Sequence, residues 1–256
     1  MLTGADIHTF LLENGIEKSD TVLVHTSMRS LGAVEGGCDG LIDGFISYLA
    51  DGLFIVPTHT WATVGQDNPI YDVRESVPCI GALPRVAAFR ADGVRSLHPT
   101  HSVAAFGKRA REFVSGEEYA TSPCSEGGVW QRLLDEKAKI LLIGVGLNRY
   151  TFIHAVDEML DLPGKLCEPI TLTSVGYGGE RYVLSFKKHG NTGSKYFENY
   201  RKPFERLGAM RSAKLGNATV EICDAVRTAE VLRLIWSRAK YDILGGEGEI
   251  PDEYYL

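Results

Sequence analysis

His154 and Asp157 stand three residues apart, a spacing that puts both side chains on one face of a helix, where a carboxylate orients or charge-stabilises an imidazole. In outline this is a general base with its partner. The run from Gly144 to Glu158 leaves an apolar stretch through Gly144 and Gly146, crosses a polar loop and enters the helix. Catalytic groups of α/β proteins concentrate at such carboxyl ends of strands. The same spacing also serves a helix-surface pair worth about 0.2–0.5 kcal/mol, and spacing alone leaves both readings open.

A second segment, Val24 to Gly37, brings the hydroxyls of Thr26, Ser27 and Ser30, the guanidinium of Arg29 and several glycines to the end of an apolar run. Free backbone N–H groups, hydroxyls and one guanidinium are what a pyrophosphate or a pantetheine amide requires. An ordinary strand-to-helix turn has the same composition. Known nucleotide motifs do not fit: no G-x-x-x-x-G-K-[ST] is present, and Arg149 occupies the third glycine position after Gly144 and Gly146. Arg29-x-x-Gly32 is like the acetyl-CoA loop of GCN5-related acetyltransferases, but Val34 stands where that pattern wants Gly or Ala. His98 and His101 bracket Pro99, which makes the approach to the next strand extended. They lack the nearby carboxylate that would complete a metal site, and read as histidines that shape a pocket or bond the backbone.

The elements that position these residues follow from apolar runs. Val22–Val24, Leu53–Val56, Ser102–Phe106 and Ile140–Val145 read as buried strands, with helical patterns near 39–50, 81–92, 109–115 and 127–136 between them. The alternation predicts an α/β fold, a mixed central sheet flanked by helices. Thr3 with Asp6 caps a first helix that stops at Gly15. Beyond residue 168, Ile170–Val175 and Tyr182–Phe186 flank Gly176–Gly179 as a hairpin. A helix near 195–207, a strand at Thr219–Cys223 and a terminal helix at Thr228–Lys240 follow, with 244–256 loose or irregularly docked.

The 256 residues are 44% hydrophobic and show no long linker, so a single domain over 1–256 is expected. A formal charge of −6 argues against a general nucleic-acid binder. No apolar run approaches the roughly 20 residues that span a bilayer, and the start lacks the basic and apolar pattern of a secretory signal, so a cytoplasmic protein is expected. The five cysteines have no C-x-x-C pair and read as reduced thiols.

Together, His25–Gly32, Pro57–Trp61, Gly81–Pro84, Arg95–Ser102 and Gly144-x-Gly-x-Asn148 leading to Thr151-x-x-His154 resemble, in order and spacing, the aminoglycoside 3-N-acetyltransferase or antibiotic N-acetyltransferase family. The likeness covers most of the chain. It implies the antibiotic N-acetyltransferase fold rather than the GCN5-related one, acetyl-CoA as co-substrate, no metal, and a role in antibiotic resistance. Thr26, Ser27, Arg29, Ser30, Leu31 and Gly32 would line the coenzyme A site, with Ser122 and Pro123 beside it. His154 becomes the catalytic base acting on the 3-amino group of an aminoglycoside by direct transfer. The family's usual Glu three residues on is Asp157 here, with Glu158 next to it, so either serves as partner.

Two further departures lie on the acceptor side. Arg85 follows the Gly-x-Leu-Pro motif where Glu is common, and Val73 replaces a frequent proline. A polycationic acceptor needs carboxylates, for which Asp67, Asp72, Glu75, Asp157 and Glu158 are the candidates, with His98 and His101 as further acceptor-site residues. The implied partners are coenzyme A and a small amine, not nucleic acid or membrane, with the chain a monomer or homodimer. Two alternatives stand beside this reading. One is a metal-dependent hydrolase on His59, His98, His101, His154 and Asp157. The other is a coenzyme A or small-molecule binding protein of the same fold without turnover.

Overall fold

Two sheets organise the computed structural model, which describes residues 1–190, 194–239 and 248–256. The strands are β1 (Thr21–Thr26), β2 (Leu53–Pro57), β3 (Ile70–Asp72), β4 (Gly93–Arg95), β5 (Val103–Phe106), β6 (Lys139–Ile143), β7 (Leu166–Val175), β8 (Arg181–His189), β9 (Met210–Leu215) and β10 (Ala218–Asp224). Seven of them form one sheet in the order β4-β5-β2-β1-β6-β10-β9, and β3-β7-β8 form the other. At the centre of the large sheet β2, β1 and β6 run parallel, while both flanks are antiparallel. The expected mixed α/β sheet is therefore present.

The local sequence explains this arrangement. β2 is buried at every residue and β6 at all but its first, because parallel strands covered on both faces are continuous apolar runs. β8 alternates instead, burying Leu184 and Phe186 and exposing Val183 and Ser185, as an antiparallel strand with one wet face should. The hairpin turn at Gly176–Gly179 is as expected, closed by Gly176 N–H donating to the Glu180 carbonyl.

The helices cover both faces of the large sheet: α1 (Gly4–Glu13), α2 (Met28–Leu31), α3 (Gly37–Tyr48), α4 (Ala82–Ala87), α5 (Ala110–Phe113), α6 (Val129–Asp135), α7 (Phe152–Met159), α8 (Arg201–Arg206) and α9 (Ala225–Arg238). Thr3 and Asp6 make the predicted reciprocal capping box on α1. α4 stops at Ala87, short of the expected 92, because Gly93–Arg95 is drawn into pairing with β5. Trp130 of α6 is fully buried and its indole donates to the His101 carbonyl at 3.0 Å. The helix expected near 195–207 is a 3-10 turn over Ser194–Tyr200 followed by α8. Of the tail, residues 244–247 lie outside the described residues, and Ile250 and Tyr255 dock into the core. Among the described residues no helix is long and apolar enough to cross a membrane.

Candidate active site

The carboxyl ends of the three central parallel strands open on one cleft of about 1110 Å³. β1 delivers His25 and Thr26, the continuation of β2 delivers His59, and the loop after β6 with the start of α7 delivers Asn148, Arg149, Thr151 and His154. The small sheet contributes Ile170, Lys188 and His189. This is where an open α/β sheet binds ligands, because the chain diverges there between its crossover connections.

Hydrogen bonding fixes the cleft walls. Thr58 and Thr60 N–H groups donate to the Ser102 and Thr100 carbonyls, extending the β2–β5 ladder toward His59. The buried Arg95 guanidinium holds the same segment, donating to the Thr58 and Ser76 carbonyls while lying over the Tyr71 ring. On the other wall the Ser30 N–H donates to Ser27 Oγ and the Ser30 hydroxyl to the Gly144 carbonyl. Gly144 has φ +65°, and a Cβ there would lie 2.3 Å from Ser30 Cβ, so glycine is what lets the two loops meet.

Six of the chain's seven histidines gather at this cleft and immediately behind it: His25, His59, His98, His101, His154 and His189. Their rings form a series, with centroids 4.7 Å apart for His59–His101, 5.2 Å for His101–His189 and 4.2 Å for the stacked His154–His189 pair. Burial holds the imidazoles of His25 and His98 down to about 3, and those of His59, His101 and His154 well below their ordinary value. His98 shows why. Its Nδ1 accepts from the Thr100 and His101 N–H groups, so Nε2 carries the hydrogen and donates to the Ser122 carbonyl. A second proton would break the first two bonds.

The residues expected to act separate into those that reach the cleft and those that do not. Thr26, Asp67, His101, Pro123 and His154 line it. Ser27, Arg29, Ser30, Leu31 and Gly32 lie outside its lining, and Leu31 packs in the core behind it. The Ser122 hydroxyl is committed to the Glu158 carboxylate. Asp72 grips Arg74 through both oxygens, and His98 is wholly buried.

Neither acidic neighbour bonds the His154 ring among the described residues. Asp157 is buried with Lys165 Nζ 2.9 Å from one oxygen. Glu158 accepts from Ser122 Oγ, from Cys124 N–H at 3.1 Å and from His189 Nε2 at 2.7 Å. The expected direct carboxylate partner is replaced by a stacked imidazole, because one turn of α7 aims Asp157 into the core and Glu158 at β8. His189, Lys188, Lys195 and Phe197, whose ring centroid is 4.8 Å from that of His154, were not singled out in the sequence. They sit on other elements at no diagnostic spacing, and histidine count was the one available clue.

Among the described residues no three ligating atoms of the metal-hydrolase set lie within 4.8 Å of one another. Among the described residues one trio brings metal-ligating atoms close, Cys124, Glu158 and His189, none of which belongs to that set.

Fold and site together describe an α/β protein with a histidine-lined cleft at the ends of its parallel strands. The aminoglycoside 3-N-acetyltransferase family model matches residues 23–235, and the chain belongs to that family. Aminoglycoside N(3)-acetyltransferase VII of Streptomyces paromomycinus is 29% identical over 169 residues, 59% of this chain and 58% of the relative. Aminoglycoside N(3)-acetyltransferase IX of Micromonospora chalcea is 27% identical over 182 residues, 64% of each. The matched segment thus spans less than two thirds of either relative. Among solved structures, AAC-IIIb in a binary complex with CoASH superposes with a TM-score of 0.79 at 20% identity, covering 92% of this chain and 97% of that one, a likeness of fold.

Proposed function

We propose that the protein transfers the acetyl group of acetyl-CoA directly to the nitrogen of an amine, with His154 as general base. The observation that carries this reading is the imidazole of His154 lining the cleft, held by burial well below its ordinary value. As the amine nitrogen bonds to the thioester carbon, His154 takes its proton; collapse breaks the C–S bond and releases the CoA thiolate, which recovers a proton from the imidazolium or water. An amide and a free thiol are the products. A positioned base of this kind contributes about 10²–10⁴-fold.

Other features support the donor half. His25 Nε2, Thr26 Oγ1 and His59 Nε2 are buried without a partner among the described residues, and all three side chains border the cleft. Unpaired buried polar atoms cost about 1–3 kcal/mol each, so a ligand bringing amide and thioester groups would repair a standing deficit. In this reading Thr26 and Pro123 meet the pantetheine end, and the exposed Arg29, beyond the cleft lining, meets a phosphate. Glu158 acts through His189, whose ring packs on His154 and fixes its plane.

The relatives' names offer the 3-amino group of an aminoglycoside as acceptor. The test is free-thiol release from acetyl-CoA with an aminoglycoside panel and simple amines, run on the wild type and His154→Ala. Loss of about 10²-fold or more with acetyl-CoA binding retained is the expected result. Near-full turnover in His154→Ala sinks the mechanism.

A further inference from the structure

Four of the cleft-lining residues are of charged types: Asp67 on the acidic side, and Arg149, Lys188 and Lys195 on the basic side. All four are exposed, and none has an ion-pair partner among the described residues. The chain as a whole is acidic at −6, so the excess of basic residues in this cleft runs against the composition. Clefts lined by one sign of charge concentrate ligands of the other.

The carboxylates that a polycation would need are employed elsewhere. Asp72 is paired with Arg74, Asp157 is buried against Lys165, and Glu158 is closed in by Ser122, Cys124 and His189. Glu75 does not line the cleft, and Arg85 adds a further positive charge near Pro84, which does. An aminoglycoside would bring several ammonium groups to one carboxylate and three cations.

Coenzyme A phosphates would take up part of this positive charge. Arg149 acts electrostatically on His25, at the head of the 26–32 loop assigned above to the donor. Lys188 and Lys195 line the same cleft as His154 and come from β8 and the 3-10 turn, the elements that also carry His189 and Phe197, whose rings pack on His154. Exposed Trp61 and buried Val64 supply an apolar surface in the same cleft.

We propose that the acceptor is an amine carrying an anionic group, a carboxylate or a phosphate, recognised by Lys188 and Lys195. It rests on the acetyl-transfer reading of the same site. Asp67 offers the single carboxylate for the acceptor's ammonium before transfer, and Trp61 a flat surface for its ring or sugar. Charge-assisted bonds from two lysines to one anion are what this class of ligand uses.

The test compares thiol release from acetyl-CoA with amines matched except for the anion: tyramine against tyrosine for the carboxylate, glucosamine against glucosamine 6-phosphate for the phosphate, and kanamycin as the polycation. One anionic member is expected to exceed both its neutral partner and kanamycin at least 10-fold in kcat/KM. In the Lys188→Ala/Lys195→Ala variant that preference falls at least 10-fold through the acceptor KM, while the KM for acetyl-CoA changes less than 2-fold. Kanamycin turned over best, or equal rates within both pairs, overturns the proposal. So does a variant whose KM rises for acetyl-CoA but not for S-acetylpantetheine, since the lysines would then serve the donor's phosphates. If no amine releases thiol, the acetyl-transfer reading falls instead. The acceptor class is then read from heat protection of the CoA-loaded protein, where equal shifts from the anionic and neutral members overturn it.

Discussion

Lowering the pH from 7 to 5 will cost the fold about 2 kcal/mol for each buried imidazole held near 3, and His98 is the clearest place to measure it. Burial, with Nδ1 already accepting two backbone N–H groups, holds His98 at about 3 against roughly 6.5 in the unfolded chain. The folded value is depressed, so the stability is complete above the unfolded value and is lost as pH falls below it. Across two pH units the unfolded chain binds nearly one extra proton at this site, which integrates to about 2 kcal/mol. His25 is held at about 3 in the same way. Glu117 opposes them: burial raises it to about 7, and it returns about 2 kcal/mol over the same interval. His59, His101 and His154 are depressed too, so the imidazoles win and acid destabilises. The assay is urea unfolding at pH 7 and pH 5 for the wild type and His98→Asn, whose amide oxygen can take over the Nδ1 bonds. The variant starts lower by about 1–3 kcal/mol for the lost bond to Ser122, yet loses about 2 kcal/mol less than the wild type on acidification. Parallel losses in the two proteins would refute the claim that His98 is kept neutral.

Glu117→Gln keeps an acceptor for the Val129 N–H but removes a carboxyl whose raised value makes stability fall as pH climbs through 7; between pH 6 and 8.5 the wild type should lose about 1 kcal/mol that the variant keeps, by the same unfolding assay. Gly144→Ala forces a Cβ toward Ser30 at a positive φ and should cost about 2–4 kcal/mol in thermal unfolding, with a raised KM for acetyl-CoA where the protein still folds. Glu158→Gln should lower kcat about 10-fold, roughly 1.4 kcal/mol, leave the KM for acetyl-CoA within 2-fold and move the acid limb of the pH profile, whereas a loss seen in Asp157→Asn alone would restore the direct partner. Cys79 lines the cleft with its thiol donating to the His59 carbonyl, and direct transfer predicts that Cys79→Ala retains turnover, with no acetylated protein detected by mass spectrometry.

Much of the large sheet was legible because its central strands are buried on both faces. Val22–Val24, Leu53–Val56 and Ile140–Ile143 are apolar at every position, as strands covered on both faces can be. The three strands that left no mark are short or polar. β3 and β4 have three residues each, and β9 reads Met-Arg-Ser-Ala-Lys-Leu, an edge strand whose charges face water and discourage further pairing. Edge strands are defined by their neighbours, and a sequence window does not contain those neighbours.

The site divides along the same line. His154 was legible because the loop that delivers it follows directly on a recognisable strand, so its place at the strand's carboxyl end is a local fact. Its partner was not, since spacing on a helix settles which side chains share a face but not what that face meets. Asp157 and His154 do lie a turn apart on α7, yet the core takes the carboxylate to Lys165, and the group packed on the imidazole comes from β8, thirty-five residues further on. For the same reason the sequence could name five candidate carboxylates for a polycation but not which of them meet, and of the five Asp67 alone lines the cleft. Charge in a sequence is a count, whereas charge in a site is what remains after each group has found its nearest opposite. Here that subtraction removes Asp72 and Asp157 as ion pairs and Glu158 as a hydrogen-bonded carboxylate, and leaves Asp67 lining the cleft with Lys188, Lys195 and Arg149.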